Sequence, residues 1–273
     1  MGTSDNALIF SLPTRMRTTI LPLLSAILLS ATAFAQSNFK EGIRWYSQRS
    51  SGATGLDAKP EHINKAIPFF TKALEQGENE LETGLYLMRS YIFKARFTLE
   101  RNSDKRKTFQ LAKEVGDELV AKYPLSKELR FEYLSALGQW GEVMGVFRAA
   151  KEGVVEKVKA EMEALIKLDP EFRKGVGERA LAVLNLRVPK IPFILSWPDK
   201  KKSLRMTTNV INKYPNDIGN NFYHAEALVE NGKDEEAISF LMRALAMQPD
   251  EEYLLEERSF HIQAKKMLER LKN

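Results

Sequence analysis

Apolar residues recur at helical spacing through most of this chain, and runs of alternating polar and apolar residues are missing. Within residues 80–100, Leu81, Leu85, Met88, Ile92 and Phe93 fall near one stripe. Residues 153–168 repeat the pattern through Val154, Val155, Val158, Met162, Leu165 and Ile166, and residues 104–122 are amphipathic as well. The spacing predicts an all-α protein in which each helix buries one face against its neighbours. At the C-terminus, residues 251–271 form a long charged helix with an apolar side through Leu254, Leu255, Phe260, Ala264, Met267 and Leu271. Such a helix is expected to cap a stack that would otherwise expose the core face of its last unit.

The prolines divide this pattern into units. "KYPLSKELRFEYLSAL" (122–137) and "KYPNDIGNNFYHAEAL" (213–228) share six identities in 16 positions, among them Tyr123/Tyr214, Pro124/Pro215 and Phe131/Phe222. In each, a helix ends at the proline, which lacks a backbone donor. Capping residues follow (Ser126; Asn216 and Asp217), and a new helix begins. Pro124, Pro170, Pro215 and Pro249 are separated by 46, 45 and 34 residues, and the last interval is the tetratricopeptide (TPR) period. "NFYHAEALVENGKDEEAISFLMRALAMQP" places Ala225, Gly232, Ala237, Ala244 and Pro249 at TPR-like positions, with Leu241 in place of the usual Phe and with Asn221 and His224 where an aromatic and a leucine are customary. Upstream, Ala66, Phe70 and Ala73 repeat the spacing. The fold expected is an α-solenoid of degenerate TPR-like hairpins, with longer insertions between the earlier units.

One segment resists the pattern. "RVPKIPFILSWPDKKK" (187–202) holds Pro189, Pro192 and Pro198, so it cannot be one helix, yet Ile191, Phe193, Ile194, Leu195 and Trp197 make it apolar. It is read as an insertion between two repeats, and Asp199 as the N-cap of the helix that follows. Phe193, Ile194 and Trp197 either line an apolar pocket between repeat helices or fill a gap in the core.

The N-terminus reads as an export signal. From Met16, a second candidate start, Arg17 precedes the apolar run Ile20–Leu29 and the small-x-small site Ala33-Phe34-Ala35. The apolar run is shorter than a membrane-spanning helix requires. The domains expected are a signal peptide at 1–35 and one TPR-like domain at 36–273, located in the periplasm. The 41 basic and 36 acidic residues, net +5, are interspersed as on a solvated helical surface and not as a nucleic-acid stripe. With no cysteine, disulfides, thiolate metal sites, a cysteine nucleophile and lipidation through cysteine are all excluded.

The order of several stretches carries a family resemblance. "LGQWGEVMGVFRAAKEGVVEKVKAEMEALIKLDPEF", "ERALAVLNLRVPKIPF", "KKSLRMTTNVINKYP", "NFYHAEAL" and the closing "EEYLLEERSFHIQAKKMLERL" follow one another. Together they resemble the T-component family of TRAP transporters, the TatT-like periplasmic helical proteins. The resemblance spans about residues 120–273 and, more loosely, 60–120. It implies a non-enzymatic partner of a periplasmic substrate-binding protein and its permease, with a groove that accepts an apolar ligand. A generic TPR scaffold for cell-wall or outer-membrane assembly is the alternative.

Candidate chemistry is sparse. His224-x-Glu226 and Glu257/His261 could ligate a metal, but no H-E-x-x-H occurs and no metal is expected. Gly175-Val176-Gly177-Glu178-Arg179-Ala180 spells G-x-G-x-x-A without a preceding strand, so the glycines are read as a helix start or tight packing and not as a dinucleotide site. With no nucleophile elbow and no phosphate loop, neither a catalytic residue nor a cofactor is expected, and the chain is read as not an enzyme. Gly138, Gly141 and Gly145 thin one helix face around Trp140, for packing or for close approach of a ligand. Tyr133 and His224 occupy equivalent repeat positions that could face a groove. The candidate ligand- or partner-binding residues are therefore Tyr133, Trp140, Phe193, Ile194, Trp197, Tyr223 and His224. The partner expected is a protein, with a hydrophobic small molecule as a further candidate.

Overall fold

The computed structural model describes residues 37–272. The signal-peptide reading lies outside the described residues, which hold twelve helices and no strand. The first five are α1 (Asn38–Tyr46), α2 (Pro60–Glu75), α3 (Glu80–Phe97), α4 (Asn102–Lys122) and α5 (Lys127–Met144). A short helix, α6 (Val146–Lys151), follows, then α7 (Val154–Leu168) and α8 (Phe172–Arg187). The series closes with α9 (Lys200–Lys213), α10 (Ile218–Val229), α11 (Asp234–Ala246) and α12 (Leu254–Lys272). No helix among them is long and apolar enough to cross a membrane.

Successive helices pack as antiparallel hairpins: α1/α2, α3/α4, α5/α7, α8/α9 and α10/α11, with α12 against the last. The first helices of successive hairpins also touch, α1 with α3, α3 with α5, α8 with α10 and α10 with α12, so they form the tighter row of an α-solenoid. The proline ladder marks hairpin boundaries as expected: α4, α7, α9 and α11 end just before Pro124, Pro170, Pro215 and Pro249. Ala66, Phe70, Ala73, Ala225, Ala237, Leu241 and Ala244 are all fully buried, which is what close helix approach with one large filler requires.

The insertions fall elsewhere than expected. α6 lies between the two helices of the α5/α7 hairpin, and the proline-rich segment lies between α8 and α9. Both surplus stretches are therefore inside repeats, and the long proline intervals reflect lengthened hairpin turns. In the second insertion Ile191 and Leu195 form an isolated antiparallel bridge, with Ile191 N donating to the Leu195 carbonyl at 2.9 Å. Leu195 is fully buried in the central cluster with Val188, Leu165 and Leu181.

The start of α8 is unusual. Arg173, Lys174 and Gly175 all have left-handed backbone, at φ 44°, 58° and 74°. Only the glycine adopts this without strain. Asn220 Nδ2 holds the Lys174 carbonyl at 3.2 Å, and the Arg173 guanidinium lies 4.7 Å from the Phe131 ring centroid. A Cβ on Gly177 would sit 2.9 Å from Ile166 Cγ1. The G-x-G string thus serves both a helix start and a close packing contact.

α12 caps the last hairpin through Phe260, Ala264, Met267 and Leu271. It also reaches the other end of the array. Leu255, fully buried, packs in one cluster with Tyr46, Phe93 and Phe97 of the first two hairpins. Arg49 Nη2 donates to the Glu252 carbonyl, and Arg258 Nη1 donates to the Gly55 carbonyl at 3.0 Å. The array is closed end to end by its own C-terminal helix.

Helix caps hold the hairpins at their turns. Ser126, Asp199 and Asp217 accept from the backbone N–H of Leu129, Lys202 and Asn220. Asp217 also receives Arg179 Nη1 at 2.8 Å, and its cap bond is partly buried where that of Asp199 is exposed. Asp217→Ala is expected to cost about 2–3 kcal/mol and Asp199→Ala about 1 kcal/mol, read from urea unfolding of the two variants.

Candidate functional site

Two surfaces gather the polar and apolar groups of interest, and the first is the row of first helices. Arg89 of α3 donates through Nε to Glu132 Oε1 of α5 at 2.7 Å, and Arg173 of α8 reaches the same oxygen at 4.0 Å. Glu132 is buried, so the pair holds its geometry where a surface pair would be screened. The Arg173 guanidinium also lies 5.2 Å from the Tyr253 ring centroid, and Arg49 lies 4.2 Å from that of Tyr46. Burial raises the Glu256 carboxyl above its ordinary range although Arg96 and Arg49 oppose the shift. Two carboxylates and four guanidiniums thus meet here, and the chain's own Glu252–Glu256 segment lies among them.

The second surface lies among the second helices. α9 and α11 both pack on α10. A groove of about 560 Å³ runs between them, with Leu204, Ile211, Leu228 and Phe240 as its apolar lining. Lys233, Glu236 and Arg243 stand at its edge. Glu236 accepts from Lys233 at 2.7 Å, and the Arg243 guanidinium sits 5.1 Å from the Phe240 ring centroid.

His224 is the candidate residue that lines this groove. It is almost fully buried, its Nδ1 lies 3.0 Å from Thr207 Oγ1, and its ring stands edge-on to Phe240 at 4.5 Å. Burial pulls its pKa down to about 4. The ring is therefore neutral at pH 7 and acts as a polar packing group.

The other candidates lie apart from it. Tyr133 does not face a groove: it is buried in the central core, where its hydroxyl donates to Asp117 Oδ1. Burial and that bond push its pKa up to about 12. Tyr133 of α5 packs toward α4 as His224 of α10 packs toward α9. Burial resists ionisation of Asp117, but bonds from Lys113, Lys157 and Tyr133 outweigh it and bring the carboxyl to about 2. Trp140 is half-buried between two core clusters. Gly138 beside it is open, Gly141 packs toward Val154 Cγ1, and Gly145 ends α5 at φ 95°. Tyr223 is wedged between Phe222, Phe260 and the Arg187 guanidinium.

Of the two readings of the proline-rich segment, a pocket lining or a core filler, Phe193 and Ile194 follow neither. Phe193 is fully exposed and Ile194 is a little under half exposed. The Ile191–Leu195 bridge makes them the tip of a tight turn, Phe193 at φ 63°, and alternation across the turn sends Leu195 inward in their place. Trp197 is half-buried, its indole N–H donating to Glu156 Oε1 at 2.6 Å. Asn220 and Asn221 are buried and satisfy carbonyls: Asn221 Nδ2 reaches those of Pro215 at 2.6 Å and Asp217 at 2.9 Å. His261 Nε2 lies 3.0 Å from the Ala244 carbonyl, and no group of three potential metal ligands occurs among the described residues. Sequence reasoning missed Glu132 and Arg89, whose only signal was a charge on an otherwise apolar helix face.

No family model matches the chain, and no curated protein matches it in sequence. Solved structures do. A thermophilic TPR protein from Thermus thermophilus superposes with a TM-score of 0.58 at 14% identity, covering 85% of this chain and 97% of that one. The TPR2AB domain of yeast Sti1, solved as a pHSP90 complex, covers 86% of this chain and 97% of its own at 13% identity. Its TM-score of 0.33 is too low to bear on the fold. The fold is of the TPR type, an all-α solenoid of helical hairpins.

The buried neutral His224 ties stability to pH. The unfolded chain takes up a proton near 6.5, whereas the folded chain does so only near 4. The contribution is therefore full above pH 6.5 and is lost as pH falls toward 4, by about 2–3 kcal/mol. His224→Gln is expected to flatten that part of the profile relative to the parent protein, measured by denaturant midpoints across pH 4–7.

Proposed function

We propose that this chain is a non-catalytic binding scaffold that holds a protein partner at the groove between α9 and α11. The observation that carries the reading is the contrast between the two rows of a TPR-type solenoid. The first-helix row holds the chain's own Glu252–Glu256 segment, whereas the apolar lining of the outer groove has a charged edge and a roughly ligand-sized volume. His224 contributes shape and a hydrogen bond there and no acid–base chemistry at pH 7.

The finer reading is an accessory T component of TRAP-type solute uptake, working in the periplasm on a substrate-binding protein. The ordered stretches from "LGQWGEV" to "EEYLLEERSF" and the export-type N-terminus support it. A generic envelope scaffold shares the fold and differs in its partner; finding genes for a TRAP-type binding protein and permease beside this one would favour the T component. A hydrophobic small molecule is the further candidate occupant, and native mass spectrometry of the purified protein would reveal it.

The direct test is titration calorimetry with a purified TRAP-type substrate-binding protein from the same organism. Binding is expected, and Arg243→Glu at the groove edge should weaken it about tenfold or more while the circular dichroism is unchanged. Absence of binding, or equal binding by Arg243→Glu, contradicts the assignment of this groove.

A further inference from the structure

The turn between α8 and α9 presents an apolar side-chain pair outward. Phe193 is fully exposed, Ile194 follows it, and both sit on a bridge closed by Ile191 and Leu195. The stem is fixed from several directions. Leu195 is sunk in the core, Trp197 is bonded to Glu156, and Pro189, Pro192 and Pro198 restrict the backbone around it. Phe193 holds φ 63°, a region that costs an L-residue energy and persists only where its surroundings impose it. An exposed phenylalanine gains nothing from such presentation in water alone.

The charge around the stem is one-sided. Lys190 leads into the turn, and α9 leaves it with Lys200, Lys201, Lys202, Arg205 and Lys213, and no acidic residue. Lys190 and Arg205 both lie within electrostatic reach of the Asp199 carboxylate that caps α9. Arg187 and Lys200 are matched by Glu226 and Glu230, and Glu156 is bonded to Trp197. Lys190, Lys201, Lys202 and Arg205 have no ion pair among the described residues. They are all exposed.

We propose that the Pro192–Leu195 tip and the basic N-terminal half of α9 together dock on an anionic lipid surface, Phe193 and Ile194 entering the acyl boundary. The chemistry favours lipid over a protein partner. The apolar element is a projecting pair and not a patch, whereas protein interfaces place apolar anchors in a broad, packed, lysine-poor core. Lysines around an amphipathic element match anionic headgroups, each adding to attraction that falls with salt. This docking element is separate from the groove between α9 and α11, so either assignment stands without the other.

The test is co-sedimentation of the full chain with vesicles of phosphatidylcholine and phosphatidylglycerol in roughly 2:1 proportion, beside vesicles of phosphatidylcholine alone. The parent protein should bind the anionic vesicles and release at high salt. Phe193→Ser/Ile194→Ser should lower partitioning about tenfold or more, and Lys201→Glu/Lys202→Glu at least about fivefold per cation. Both variants should keep the parent's thermal midpoint, since the changed side chains are exposed. As an independent reading, Phe193→Trp should shift its emission to the blue on anionic vesicles and be quenched by brominated acyl chains. Failure of the parent protein to bind anionic vesicles overturns the proposal. So does binding that ignores the tip substitutions, or a soluble protein captured through Phe193 by a chain that binds no vesicle.

Discussion

The architecture depends on one long-range contact, the seating of Leu255 and Glu256 against the first two hairpins. Hairpin solenoids are ordinarily held by neighbour-to-neighbour contacts, and their ends fray or need caps. Here residues 203 positions apart in sequence meet, Arg49 with Glu252 and Gly55 with Arg258, and a fully buried leucine fills the joint. The same helix covers the last hairpin, so α12 ties both ends at once. The buried network of Glu132, Arg89 and Arg173 lies beside this joint, and the left-handed run at 173–175 is the local distortion that brings Arg173 to it.

Closure redistributes what the surface has to offer. The first-helix row, whose side chains a hairpin array can turn toward a ligand, is taken up by the chain itself. The open features lie on the other row and on the lengthened turns. The groove between α9 and α11 and the tip between α8 and α9 both involve α9, one through Leu204 and Ile211, the other through Lys201, Lys202 and Arg205. A single basic, amphipathic helix therefore faces two different surroundings. Insertions within hairpins, at α6 and at 188–199, are what separate this array from evenly spaced repeats.

Much of the architecture could be read from residues alone because it rests on local rules. Helical periodicity placed the elements, prolines 124, 170, 215 and 249 marked where hairpins end, and Asp199 announced the start of α9. Small residues at Ala225, Ala237 and Ala244 reported close packing correctly. The site was far less accessible. Tyr133 and His224 share a repeat position and each meets the preceding second helix, the tyrosine at Asp117 and the histidine at Thr207, but only the histidine lines a groove. Phe193 and Leu195 are alike in apolarity, and only the Ile191–Leu195 bridge decides which one is buried. Nothing periodic connects Leu255 to Tyr46, so the joint itself has no sequence signature.

The measurement that bears most directly on end-to-end closure is hydrogen exchange on a chain ended at Gln248, which lacks α12 and the segment that leads into it. If closure holds the array together, amides of α1 and α3 around Tyr46 and Phe93 lose protection together with those of α10 and α11. Loss of protection confined to α10 and α11, with the first two hairpins exchanging as in the full chain, would contradict it.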